Sequence, residues 1–118
     1  MKNLTKKSET DFVEFAILQH KLSVEGDRKG SNAAHNDVSL AWADICKSSD
    51  RGESFLLKTI RNKNPSVRLW AATFLLPLNE SLALKVILDI EMGNAPWQVQ
   101  AMAEVVRDQW KSGKLKLN

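Results

Sequence analysis

The chain has a single cysteine, Cys46, among 118 residues. It cannot form an internal disulfide, which excludes an oxidatively stapled secreted domain. Cys46 sits in an apolar helical pattern with Trp42 and Ile45, where a small buried hydrophobe is expected rather than a reactive thiol. Glycine and proline are scarce, five and three in all, and no stretch alternates β-branched with polar residues. Strands are therefore not expected, and helices are. Long apolar runs are absent as well. The longest, Leu69 to Leu78, is broken by Thr73 and Pro77 and is about half the ~20 residues a membrane span needs. Lys2, Lys6 and Lys7 precede Asp11 with no apolar run between them, so no signal peptide is expected. These absences favour a cytoplasmic protein with no membrane partner.

What is present is a modest positive charge, +3, with a sequence pI near 9.1. Its location matters more than its size. Residues 1–8 carry Lys2, Lys6 and Lys7 and no acid, and residues 111–118 carry Lys111, Lys114 and Lys116 and no acid. Residues 9–110 hold 11 basic against 14 acidic side chains. The expectation is one domain over 1–118, with short basic tails at 1–8 and 111–118 on a mildly acidic body. A basic nucleic-acid groove is disfavoured by that distribution.

Apolar spacing predicts six helices. The first runs from Asp11 to Val24, with Phe12, Phe15, Ala16 and Leu22 inward, and Gly26 ends it. After the polar turn Gly26–Gly30, Ser31 or Asn32 caps a second helix with the stripe Ala34, Val38, Ala41, Trp42 and Ile45. A short third spans about Glu53 to Arg61 and turns Phe55, Leu56 and Ile60 inward. Asn64-Pro65 is a strong helix start, because asparagine caps and proline at the first position loses no hydrogen bond. The fourth helix then buries Val67, Ala71, Phe74 and Leu75 and ends near Pro77. Asn79 and Ser81 open a fifth with Leu82, Val86, Ile87 and Ile90 on one face, closed by Gly93-Asn94. Pro96 opens a sixth with the stripe Val99, Met102, Ala103, Val106 and Trp110, closed by Gly113. Joined by short turns, these make three antiparallel hairpins.

The last two hairpins echo each other. Pro65-Ser66-Val67-Arg68-Leu69-Trp70-Ala71-Ala72 answers to Pro96-Trp97-Gln98-Val99-Gln100-Ala101-Met102-Ala103 with one residue inserted, placing Val67 against Val99 and Ala71 against Ala103. A helix-pair period of this size is the pattern of a solenoid. Asn64-Pro65-Ser66-Val67-Arg68, followed by Ala71-Ala72 and Leu75, resembles the start of the second helix of a HEAT repeat. The whole chain is similar to a family of small bacterial HEAT-like proteins catalogued as a domain of unknown function. Leu4-Thr5, Phe15-Ala16 with Gln19, Gly26-Asp27 with Asn32, and the Val67-Arg68 block carry the likeness. Gln100 stands where Arg68 would recur, as in a terminal capping repeat. The resemblance implies an all-α fold, a right-handed α-α superhelix of three helical hairpins with the last two HEAT-like, and it brings no catalytic residues. Some small HEAT-like bacterial proteins are immunity proteins encoded beside toxins.

No catalytic constellation emerges. His20 and His35 are the only side chains that titrate readily near neutral pH. With Asp27 and Asp37 nearby they could be imagined around a metal, but no His-x-x-x-His or paired-cysteine spacing supports one. Gly26–Gly30 lacks the Gly-Lys-Ser/Thr ending of a phosphate loop. No cofactor and no metal are expected, and the chain is read as a non-enzyme. Nucleic-acid binding is disfavoured: the helices that would line a HEAT concave face offer Arg68 and Arg107 against Glu104 and Asp108. A basic corner at Lys58, Arg61 and Lys63 is the residual argument for it.

Trp97 is the informative aromatic. It lies off the apolar stripe of the last helix, on a face shared with Ala101 and Val105, and no further repeat follows to cover it. It either anchors a partner, rimmed by Gln98, Gln100, Glu104 and Asp108, or staples back onto the fifth helix. The expected function is non-catalytic protein binding, most concretely as an immunity protein that docks on a cognate toxin domain and neutralises it. Its contact residues would be Arg68, Trp97, Gln98, Gln100, Glu104 and Asp108. A general scaffold or adaptor is the alternative. A homodimer through the last helix would also hide Trp97.

Overall fold

The computed structural model describes residues 2–117, with side chains from Lys7 onward. These residues form six α-helices and no strand: α1 (Lys2–Val24), α2 (Arg28–Ile45), α3 (Glu53–Thr59), α4 (Pro65–Leu75), α5 (Glu80–Met92) and α6 (Trp97–Lys111). No helix among them is long and apolar enough to cross a membrane. The chain packs as two compact units, residues 1–55 and 56–118.

In the first unit α1 and α2 lie antiparallel over most of their lengths. Their ends are tied by Ser8 Oγ donating to Asp44 Oδ2 (2.7 Å) and Gln19 Nε2 donating to Ser31 Oγ (3.0 Å). Phe12, Ala16, Ala34, Val38, Ala41, Ile45 and Phe55 are buried, and the Phe12 and Phe55 rings meet edge to face at 5.1 Å. Two boundaries differ from expectation. α1 starts at Lys2, so residues 2–8 are helix rather than a tail. α2 starts at Arg28, with Asp27 and not Ser31 or Asn32 at its cap. The Asp27 carboxylate accepts from the Gly30 N–H at 2.9 Å. Gly30 thus belongs to the first helical turn, and Ser31 is buried against Gln19. Cys46 is half-buried rather than buried, its Sγ donating to the Ala43 carbonyl.

In the second unit α4 is the central element. Asn64 caps it, its Oδ1 accepting from the Ser66 N–H at 2.8 Å and the Val67 N–H at 3.4 Å, with Pro65 at the first position as expected. Val67, Leu69, Ala71, Ala72, Phe74 and Leu75 are all buried, and Thr73 is buried with its hydroxyl donated to the Leu69 carbonyl. α4 packs on α5 and α5 on α6, with α4 also touching α6. The α3–α4 pair is not a comparable hairpin, because α3 is only seven residues long. α5 and α6 are joined by two contacts from the C-terminal part of α6, Arg107–Glu91 and Trp110–Glu80, which reach the two ends of α5. Every buried side-chain polar atom in the described residues has a hydrogen-bond partner.

The two echoing segments occupy matching core positions. Val67 and Val99, and Ala71 and Ala103, are all buried. Arg68 and Gln100 also do the same job with different chemistry. Arg68 Nη1 donates to the carbonyls of Asn62 (2.9 Å) and Lys63 (3.0 Å), while Gln100 Nε2 donates to the Gly93 carbonyl at 2.6 Å. Asn62 and Gly93 each lie three residues before the proline that opens the helix. A side chain in the first turn or so of each helix therefore reaches back and braces the incoming loop.

Candidate protein-docking face

α6 has an inward and an outward side. Val99, Ala103 and Val106 are buried, and Trp110, half-buried, donates its indole N–H to Glu80 Oε2 at 2.7 Å. At 100° per residue, the opposite side presents Trp97, Ala101, Glu104, Val105 and Asp108, and all five are exposed. Trp97 is 71% exposed, so it does not staple onto α5. Exposed isolated apolar side chains are ordinary, but a tryptophan and a valine bracketing an alanine on one helical stripe form a contiguous surface.

The expected contact residues separate into two groups. Trp97, Glu104 and Asp108 stand together on this outward face. Gln98 is half-buried at its margin. Arg68 and Gln100 are engaged with loop carbonyls, which by itself explains a long donor side chain at each position.

Met102 corrects the expected core stripe. It is 51% exposed, because α6 buries a narrower strip than the 3–4 spacing suggested. Leu88 and Met92 on α5 are exposed too, Met92 by 78%. Both lie outside the face expected to turn inward, which held Leu82, Val86, Ile87 and Ile90. Leu82 and Val86, expected inward, are half-buried.

Charge on the face is set by what Arg107 does. It donates Nε to Glu91 Oε2 at 2.8 Å and Nη2 to Glu91 Oε1 at 2.7 Å, a two-pronged pair that holds the guanidinium against α5. Hydrogen bonding from Arg107 lowers the Glu91 pKa below the ordinary carboxylate range, and the same bonds raise that of Arg107. Asp108 is only loosely paired, 3.6 Å from Arg107 Nη1, and remains exposed. Glu104 is also exposed. The outward face is therefore apolar in its N-terminal half, with two exposed carboxylates in its C-terminal half and exposed Lys111 at its end.

Elsewhere the described residues offer little chemistry. No group of three or more His, Cys, Asp or Glu side chains is placed to hold a metal ion. His20 is half-buried on α1 and His35 exposed on α2. The most strongly perturbed acid, Asp50, serves its own loop. It accepts from Ser48 Oγ (2.9 Å) and from the Gly52 (3.0 Å) and Ser54 (3.1 Å) N–H groups, which with the Ser54 hydroxyl lower its pKa far below the ordinary range.

The described residues are thus all-α, with an exposed tryptophan on the outward side of α6. No protein-family model, no curated protein and no solved structure matches the chain.

Proposed function

We propose that the protein is a non-catalytic protein-binding module that docks its partner on the outward face of α6. The observation that carries this is Trp97, an indole 71% exposed on one stripe with Ala101 and Val105 and flanked by Glu104 and Asp108. Exposed tryptophan is a costly surface residue and a common anchor in protein interfaces, where a polar rim excludes water around it.

The finer form of the proposal is an immunity protein that binds and neutralises a cognate bacterial toxin domain in the cytoplasm. Its support is the resemblance to small HEAT-like proteins. The matching burial of Val67 with Val99 and Ala71 with Ala103, together with the paired loop braces, supports a HEAT-like repeat within an α-α superhelix.

Co-expression with the product of the adjacent gene tests both levels. A stable 1:1 complex and rescue of growth are expected, with Trp97→Ala or Glu104→Lys weakening the complex while the helical circular dichroism stays unchanged. A complex insensitive to both substitutions would move the docking surface away from α6. Neither complex nor rescue would remove the immunity reading.

A further inference from the structure

We propose that the corner between α3 and α4 binds the phosphate backbone of duplex nucleic acid, without regard to base sequence. No acidic residue occurs from Ser54 to Asn79, and the four cations of that stretch, Lys58, Arg61, Lys63 and Arg68, all fall between positions 58 and 68. The sequence alone sets Arg68 on a concave face, offset by Glu104 and Asp108. The structure places it at the corner instead: Nη1 donates to the carbonyls of Asn62 at 2.9 Å and Lys63 at 3.0 Å. Both bonds use Nη1, which leaves Nε and Nη2 as donors, and the guanidinium is held in position before any ligand arrives. Lys58, Arg61 and Lys63 are exposed around it. The ion pairs among the described residues involve none of Arg61, Lys63 and Arg68. The nearest acids along the chain are Glu53, in the first turn of α3, and Glu80, which accepts from Trp110. The partially positive N-terminal end of α4 opens at the same corner. Crowded like charges repel in the free protein, and an anion relieves that repulsion.

The groups at the corner select the kind of anion. Phosphate backbones are held by arginine, lysine and asparagine side chains, which position a duplex without reading it. Asn62 and Asn64 spend Oδ1 on backbone N–H groups, which leaves each Nδ2 as a donor beside the cations. A protein partner calls for an apolar anchor, with charge depleted at the centre of the contact. No large apolar side chain is exposed between residues 57 and 68. A single strand calls for exposed aromatic rings on which bases stack, and this segment contains no aromatic residue. What remains is a set of cations and amides suited to phosphodiester oxygens alone. The corner uses nothing of the α6 face, so the two readings stand or fall separately.

Fluorescence anisotropy of the full chain with two labelled duplexes of about 20 base pairs and unrelated sequence tests this. Both are expected to bind equally, and raising salt from about 50 to about 150 mM should weaken binding roughly 20- to 50-fold for three to four phosphate contacts. Arg61→Ala/Lys63→Ala removes two exposed cations that brace nothing, so circular dichroism should be unchanged. Its affinity at low salt should fall at least about tenfold, with the log–log salt slope reduced by about 2. Lys114→Ala/Lys116→Ala and Trp97→Asp should bind duplex as wild type does, which separates the corner from the C-terminal lysines and from α6. No duplex binding at low salt, full binding by Arg61→Ala/Lys63→Ala, or loss of binding in the Lys114→Ala/Lys116→Ala variant alone would each overturn the proposal. Tighter binding to a single strand of the same length overturns the duplex assignment. Absence of duplex binding with loss of the adjacent-gene complex on Arg61→Ala/Lys63→Ala overturns it too, and gives the corner to an acidic protein segment.

Discussion

At Gly52 the backbone φ is +82°, and an added Cβ would lie 2.8 Å from two carbons of the Trp42 ring. Left-handed backbone and a ring packed over the Cα both select glycine there. Gly52→Ala is expected to lower unfolding stability by about 2 kcal/mol or more, read from urea unfolding. Asn64 has a single clear function, accepting from the Ser66 and Val67 N–H groups, and Asn64→Ala should cost about 1 kcal/mol in the same assay. Acid sensitivity also resolves to single residues. The Glu91 pKa is depressed in the fold by hydrogen bonding from Arg107. A depressed carboxyl contributes stability that is present above its unfolded pKa of about 4.3 and lost as pH falls toward the folded value. Stability should therefore decline below about pH 4, and Glu91→Gln should flatten part of that decline. Denaturant midpoints measured from pH 7 to 3 would show it.

The helix starts that could be read in the sequence were those with strong local chemistry. Asn64-Pro65 and Pro96 are explicit, and the α4, α5 and α6 boundaries follow them closely. The start of α1 was hidden because three lysines with no acid oppose the helix dipole, so the segment reads as a tail. Asp27, between Gly26 and Gly30, reads as a turn, yet its carboxylate accepts from the Gly30 N–H and opens α2. The loop braces were less visible still. Arg68 and Gln100 hold equivalent places in the echo but differ in chemistry, and only the shared carbonyl position before each proline shows that they do the same job. Arg68→Ala and Gln100→Ala are each expected to cost about 1–2 kcal/mol, whereas Trp97→Ala should alter stability by less than about 0.5 kcal/mol. Thermal unfolding of the three variants separates brace from docking residue.

Over the whole molecule, the all-helical class and most of the core were legible because apolar periodicity marks the buried face of a helix. Phe12, Val38, Leu56, Val67, Leu75 and Ile87 are fully buried where their stripes put them. The outward face was legible at Trp97, Ala101 and Val105, with Glu104 and Asp108 beside them, because they share one side of the helix away from its apolar stripe. Exposure at Met102, Leu88 and Met92 depends on how much of each helix its neighbours cover, which the spacing of one helix does not encode. The charge argument also changes with scale. Residues 9–55 hold five cations against nine carboxylates, while 56–110 hold six against five. The acidic excess of the body belongs to the first unit, so the face on α6 draws on Glu104 and Asp108 locally rather than on a field around it. Binding there should weaken only modestly between low and physiological salt, because apolar burial supplies more of it than charge. The central claim is that α6, and not another exposed apolar position, receives a protein partner. Leu40 on α2, 69% exposed, is the natural comparison for Trp97. The direct measurement is the affinity of wild type, Trp97→Asp and Leu40→Asp for the adjacent-gene product. The expected result is a loss of at least tenfold for Trp97→Asp with Leu40→Asp near wild type; full affinity in Trp97→Asp, or loss in Leu40→Asp alone, would contradict it.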